Sequence, residues 1–163
     1  PYTAKCYYRL YKFGDMHRLI AAYESMLREY GSMKEYVRSH ASTGIEAVSA
    51  ICRYFAEHDA STVVPRNTQS ACKRVCMFLR WMVRSGSPVD LGLWADIIDR
   101  RTLIMPLDPH VVQEALRLGL LKSRTASMAT ARRLTDAMLE VFPDDPLRGD
   151  FALFGLGVDE DSK

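Results

Sequence analysis

Lys73, Met77, Arg80 and Arg84 are separated by intervals of four, three and four. At about 100° per residue that spacing puts all four on one narrow strip of a helix. Val75, Cys76, Phe78, Leu79, Met82 and Val83 occupy most of the remaining circumference, with Trp81 beside the strip and Arg74 as the other charge. A helix apolar over most of its surface belongs in a core, so its cations cannot be casual solvent decoration. Two readings follow. In the plainer one, Lys73, Arg80 and Arg84 pair with carboxylates of neighbouring elements, for which Asp90, Asp108 and Asp150 are candidates. In the sharper one, the strip lines a groove and meets phosphates or a reacting sugar. The pattern of charge favours ion pairs, which also gather in clefts.

A second candidate is the carboxylate in Pro106-Leu107-Asp108-Pro109-His110-Val111. Asp108 stands where a helix N-cap belongs, with Pro109 at the first helical position. Capping alone would explain both residues, yet a capping carboxylate can also face a cleft and project charge towards a substrate. His110, in the first turn, fits packing or capping better than a role as a base. Cys6, Cys52, Cys72 and Cys76 show no secreted-scaffold spacing, and Cys72 and Cys76, one turn apart on a helix, are poorly placed to bridge. With His58 the latter two could begin a zinc site, but a clear fourth ligand is missing and a core role is preferred. No iron–sulfur spacing is present. The expectation is therefore no metal and no cofactor.

These residues need elements to hold them. Ala4 to Phe13 reads as a short helix or turn. Asp15 caps a helix through about Tyr30, Gly31 stops it, Ser32 restarts a short one, and Ser42 or Thr43 caps the next. Ala60 to Gln69 is a loop with Pro65-Arg66-Asn67 as its turn signal. Ser70 or a neighbour opens the basic helix, which runs to about Arg84. Ser87-Pro88 begins a further helix, Pro88 to Ile98, and Leu103 to Leu107 is an extended apolar connector. Asp108-Pro109 starts a helix ending near Gly119, Ser127 begins one to about Phe142, and Asp145-Pro146 begins a last one stopping near Gly155. Convincing strand alternation is absent. The fold class is all-α, with residues 1–158 as a single helical domain and 159–163 as an acidic, frayed tail.

Composition sets the outer bounds. A chain of 163 residues, 48% hydrophobic and 26% charged, is long enough to bury a core as one domain. Its formal net charge of +2 does not announce a nucleic-acid binder, so any basic footprint must be local. No apolar run approaches the roughly 18 residues of a membrane span, and no signal peptide is visible. The expectation is a cytoplasmic protein without a membrane partner. Beginning at Pro1 in near-immediate helical pattern, the chain reads as a fragment that lacks an N-terminal portion.

Four motifs in order carry a resemblance: Cys72 to Arg84, Val89-Asp90-Leu91-Gly92-Leu93-Trp94, Pro106 to Val111, and Asp150-Phe151-Ala152-Leu153-Phe154-Gly155-Leu156-Gly157-Val158. Across roughly residues 65 to 158 the chain resembles the bacterial family DUF2400. That pattern is in turn similar to the helix-hairpin-helix DNA glycosylases, among them endonuclease III and the 8-oxoguanine glycosylases. The resemblance implies a compact orthogonal helical bundle and DNA as the partner. Residue by residue, it implies Lys73 as the amine nucleophile, Asp108 as the catalytic carboxylate and His110 in the histidine position, with Arg74, Arg80 and Arg84 contacting nucleic acid. Asn67-Thr68-Gln69-Ser70-Ala71-Cys72 stands where those enzymes carry a Gly-x-Gly hairpin, and the interval from Lys73 to Asp108 is longer than theirs.

The implied chemistry suits the residue types. Breaking an N-glycosidic bond develops positive charge on the sugar, which a carboxylate stabilises. A neutral amine can attack the anomeric carbon, form a Schiff base and permit strand cleavage, and neighbouring cations such as Arg74 and Arg80 would favour the neutral amine. The base would have to leave the duplex, with Trp81, Phe78 or the N-terminal tyrosines as stacking surfaces, although each also suits the core. The expectation is thus a DNA N-glycosylase, with or without lyase activity. Its alternative is a non-catalytic module on the same fold that binds nucleic acid or protein.

Overall fold

The longest helix starts where local polar groups can satisfy its first turn. In the computed structural model, which describes residues 5–8 and 10–161 (side chains through 156), α1 spans Phe13–Tyr30. Asp15 is its third residue rather than its cap: the carboxylate reaches back to accept from the Lys12 amide at 2.7 Å. Ahead of it lies an antiparallel hairpin, β1 (Cys6–Tyr8) and β2 (Tyr11–Lys12), pairing Cys6 with Lys12 and Tyr8 with Tyr11. This replaces the helix or turn expected over Ala4 to Phe13. Alternation over so few residues is too short to register as a strand pattern. Pro1 to Ala4 lie outside the described residues.

The helices α2 (Met33–His40) and α3 (Gly44–Glu57) follow as the capping residues predict. Ser32 accepts from the Glu35 amide at 3.1 Å. Thr43 and Glu46 form a reciprocal capping box at the start of α3, which satisfies two amides that the first turn would leave orphaned. Ala47, Val48, Ile51, Cys52 and Phe55 turn α3 inward, against α4 (Lys73–Val83). Gly44 is required at the start of α3 because an added Cβ would lie 2.4 Å from the Thr102 carbonyl oxygen. Its amide donates to Thr102 Oγ1 at 2.8 Å. The two contacts fix a 3-10 turn, Arg100–Thr102, against α3.

From that turn, Leu103 to Leu107 runs extended and fully buried. Its Met105 amide donates to Thr135 Oγ1 at 3.0 Å, on α6 (Met128–Val141). The connector delivers Asp108 to the start of α5 (Pro109–Arg117), which packs on α7 (Arg148–Asp161). The last helix continues past Gly155, and its backbone carries residues 159–161 as well, so the acidic residues there are not a frayed tail. Ser162 and Lys163 lie outside the described residues.

The helix expected from Pro88 to Ile98 does not form. Residues 84–99 instead wrap the C-terminal end of α4, and the Leu91 and Trp94 amides donate to the Trp81 and Met82 carbonyls at 2.6 and 2.7 Å. Those carbonyls belong to the last turn of α4, which has no later amides of its own to bond them. Burial then alternates: Val89, Leu91 and Leu93 face out while Asp90 and Trp94 face in. A helix could not present that period. Gly92 turns the segment at φ 68°, a conformation that a side chain would strain.

The described residues are thus mostly helical, with one small two-stranded sheet. No helix among them is long and apolar enough to cross a membrane.

Candidate functional site

Two helix starts are brought together by the backbone. Before α4, Cys72 adopts φ 46° and ψ 37°, a left-handed conformation that costs on the order of 1 kcal/mol or more without glycine. Its thiol is packed by Cys52 Sγ at 3.8 Å and by the Asn67 and Ser70 carbonyls at 3.3 and 3.4 Å. The hydrogen bond from Cys52, opposed by burial and helped by Ser70, holds the Cys72 thiol below its ordinary value. Burial pushes Cys76 up to about 12, with the Cys72 charge adding to it. All three sulfurs are buried, so they shape the turn that launches Lys73.

Asp108 launches α5, and its two carboxylate oxygens do different things. Oδ1 accepts from the His110 amide at 3.1 Å, which caps the helix. Oδ2 accepts from the Lys73 ammonium. Capping and pairing are therefore compatible in one side chain. The pair stands partly open, with side-chain exposures of 44% for Lys73 and 22% for Asp108. Burial alone would raise the Asp108 carboxyl. The hydrogen bonds from Lys73 and the His110 amide, together with the charges of both residues, outweigh burial and hold it below its ordinary value. His110 meets Phe154 of α7 edge-on at 5.7 Å. Beside Asp108, a recess of about 290 Å³ is lined by Leu107, Pro109, Val112, Gln113, Arg124 and Ala126.

Further along α4 the same strip dives inward. Arg80 and Arg84, expected to contact nucleic acid, are 3% and 8% exposed. Arg80 pairs with Asp150 and lies 3.5 Å from Asp90 Oδ1 through its Nε. Arg84 donates to Asp90 at 2.7 Å and grips both Asp145 oxygens from Nε at 3.1 and 3.0 Å. The Phe151 ring covers the Arg80 guanidinium at 4.0 Å. Two cations thus face three buried carboxylates, which leaves no solvent-facing phosphate site on either arginine. Arg80 also does not present an uncompensated charge to Lys73. Burial raises the Asp150 carboxyl against the pull of Arg80 and Arg84, and the charges of Asp108 and Lys73 reach it as well.

The expected residues therefore divide. Lys73, Asp108 and His110 converge at the two helix starts, and Arg74 is exposed nearby with its guanidinium over the Tyr11 ring at 5.4 Å. Of the suggested stacking residues, Trp81 is 40% exposed, while Phe78 packs edge-on against Trp94. Asp90 and Asp150 pair as the ion-pair reading has it, and Asp108 pairs with Lys73. Sequence reasoning missed Asp145, read only as a helix start, although an acid before proline caps Asp108's helix too. It also passed over Arg124, which lines the recess beside Asp108. His58 is committed to Tyr54, stacked at 4.1 Å with Nδ1 2.8 Å from the Tyr54 carbonyl. Among the described residues no group of three or more His, Cys, Asp or Glu is placed to hold a metal ion.

Against known proteins, one family model, described as a protein of unknown function (DUF2400), matches residues 2–159. No curated protein and no solved structure matches the chain.

Proposed function

We propose, from the premise that the chain belongs to the DUF2400 family, that it is a DNA N-glycosylase with lyase activity, similar to the helix-hairpin-helix enzymes. The observation that carries this reading is the meeting of Lys73 with Asp108 at two adjacent helix starts, partly open to solvent. An amine and a carboxylate in contact are the two groups this chemistry needs.

Lys73, an ammonium on Asp108 in the free protein, first gives up a proton to solvent; the resulting amine attacks C1′ of the nucleotide sugar as the glycosidic C–N bond breaks. The base leaves with the bonding electron pair and takes up the proton shed by the nitrogen newly bonded to C1′. Positive charge developing at C1′ is met by the Asp108 carboxylate, which is ionised at neutral pH and held in place by the His110 amide. Opening of the sugar ring gives an iminium between Lys73 and C1′. Loss of a C2′ proton expels the 3′ phosphate, and water then hydrolyses the iminium to release the lysine. His110, in the first turn of α5, lies within the same neighbourhood for substrate contact.

Borohydride reduces such an iminium and leaves protein covalently joined to DNA. The protein, incubated with duplexes bearing oxidised purines, oxidised pyrimidines or abasic sites, is expected to trap on at least one of them. Lys73→Gln is expected to abolish trapping while duplex binding is retained. Trapping that survives Lys73→Gln would overturn the assignment. A glycosylase that uses water forms no iminium, so base release is measured in parallel.

The alternative is a non-catalytic module. It is favoured by the fact that Asp108 already has a complete structural role, capping α5 and latching α4 to it. Neither trapping nor base release on any lesion, with duplex binding intact, selects it.

A further inference from the structure

The chain carries 20 acidic residues, yet none falls within residues 60–89 or 115–135. With a net charge of only +2, such uneven placement concentrates positive potential wherever the two stretches meet. They do meet. The Ala71 amide donates to the Ala126 carbonyl at 3.1 Å, Ser70 and Ser127 form an antiparallel bridge, and the Met128 amide reaches the Gln69 carbonyl at 3.5 Å. The junction lies immediately before Lys73 in one stretch and immediately before α6 in the other. Arg124 lines the recess beside Asp108 with Leu107 and Pro109, so the junction borders the Lys73–Asp108 pair directly.

Exposed cations decorate both sides: Arg66 in the first stretch, and Lys122, Arg124, Arg132 and Arg133 in the second. Arg18, Lys34, Arg38, Arg101 and Arg117 each have a carboxylate within 4.0 Å. Among the described residues none of the five cations on the two stretches does. Neutral donors stand among them, including exposed Ser123 and Thr125. Unpaired cations interleaved with hydroxyls, on two stretches that themselves carry no acid, are what a phosphate backbone requires.

We infer that the joined stretches form a phosphate-binding surface that seats a duplex DNA backbone alongside the Lys73–Asp108 pair, independently of base sequence. The choice of DNA rests on the proposed glycosylase reading; the surface itself rests on the placement of charge. The two acid-free stretches act as one electrostatic seat because main-chain hydrogen bonds, rather than mobile side chains, join them.

The test is fluorescence anisotropy of a labelled undamaged duplex, titrated with the full chain between 50 and 200 mM NaCl. Lys122→Ala/Arg124→Ala and Arg132→Ala/Arg133→Ala are compared with wild type. Each phosphate contact removed should lower the log–log salt slope by about 0.9, or roughly 3-fold in affinity across that range. Each double variant is therefore expected to lose about two units of slope. A control, Arg38→Ala, removes a cation already paired with Glu35 and Asp96 and is expected to keep the wild-type slope. All substituted residues are exposed, and circular dichroism verifies the fold. Double variants that match wild type in affinity and slope, or a control that loses as much as they do, would overturn the surface. A wild type that binds no duplex at low salt would overturn it as well. Borohydride trapping and base release are scored separately: reduced slopes with neither signal leave the surface standing and remove the glycosylase. Trapping through Lys73 with unchanged slopes does the reverse.

Discussion

One strip of α4 carries charge at both ends, and the two ends sit in different surroundings. At the outer end Lys73 meets Asp108 with side-chain exposures of 44% and 22%, one cation to one carboxylate, beside a recess. At the inner end Arg80 and Arg84 meet Asp90, Asp145 and Asp150, all 10% exposed or less. The difference lies in solvation. An exposed pair gains little from its own attraction but can release its partner for a substrate. A buried network has paid desolvation for every member, so each charge depends on the others staying in place. The comparison teaches that helical spacing groups charges on one face without making them one site. Depth along the helix axis decides which stay open to solvent and which are locked into the fold.

The largest effect should come from breaking the inner network at its shared member. Asp90 faces both Arg80 and Arg84, and its side chain is fully buried. Asp90→Ala takes one carboxylate from each of two buried guanidiniums, leaving Arg80 only Asp150 and Arg84 only Asp145, and is expected to cost about 3–5 kcal/mol, read from urea unfolding. It also releases the 84–99 wrap, so faster amide exchange at Leu91 and Trp94 should accompany the loss. A cost below about 1 kcal/mol would mean that the network is no more dependent on its members than the outer pair.

How far this was legible in the sequence follows from what each signal depends on. Asp108 could be read because N-capping is local, and the Asp-Pro pair states the start of α5 within two residues. Lys73 could be read from the wheel, as could the scarcity of solvent-facing surface on α4. Whether that narrow strip opened to a groove or to carboxylates could not be read, because the answer lies in residues 84–99 and α7. There the Ser-Pro signal for a helix start was satisfied locally and still lost to the unpaired carbonyls of Trp81 and Met82. The bridge between Ser70 and Ser127 is equally invisible to any local pattern, although the absence of acids from both stretches is plain in the sequence.

At the outer end, Asp108→Asn should sharpen the contrast. The amide can still cap α5, since Asn is as good a cap as Asp, but it cannot answer an ammonium or a developing oxocarbenium. The expected outcome is a stability loss of under about 1 kcal/mol, with base release slowed far more than that loss explains. Asp108→Ala removes the cap too and should cost about 1 kcal/mol. If Asp108→Asn left base release at the wild-type rate, the carboxylate would be only a cap.

Acid separates the two ends by the sign of their response. Burial raises Asp150 above its ordinary 3.8 despite Arg80 and Arg84. The folded protein therefore holds a proton there at pH values where the unfolded chain has lost it. Its contribution to stability is fully present below 3.8 and is lost as pH rises through the folded value. Asp108 is lowered, so its contribution is present above 3.8 and lost as pH falls through the folded value. Carboxyl carbon NMR should show Asp150 titrating above 3.8 and Asp108 below it. Wild type should gain stability relative to Asp150→Asn on going from pH 7 to pH 4. The opposite trend, or the reverse order of titration, would remove the distinction between the two ends.

The smallest effect is expected where the chemistry is proposed, and its smallness is informative. Lys73 is nearly half exposed, so in the folded protein its ammonium keeps much of its hydration, and pairing adds little. Lys73→Gln should therefore change unfolding free energy by about 0.2–1 kcal/mol. It leaves the Asp108 cap on the His110 amide untouched. A cycle of Lys73→Gln, Asp108→Asn and the double variant isolates the pair from the cap, because Asn preserves one and Gln removes the other. The coupling energy should fall further between 0.05 and 0.5 M NaCl, since solvent-exposed charges are screened by salt. The inner network, shielded from solvent, should show little such dependence when Arg84→Met and Asp145→Asn are cycled under the same conditions. A coupling at Lys73–Asp108 of about 3 kcal/mol, insensitive to salt, would make it a structural bridge like the inner network. The amine would then be held too firmly to leave Asp108 for a substrate.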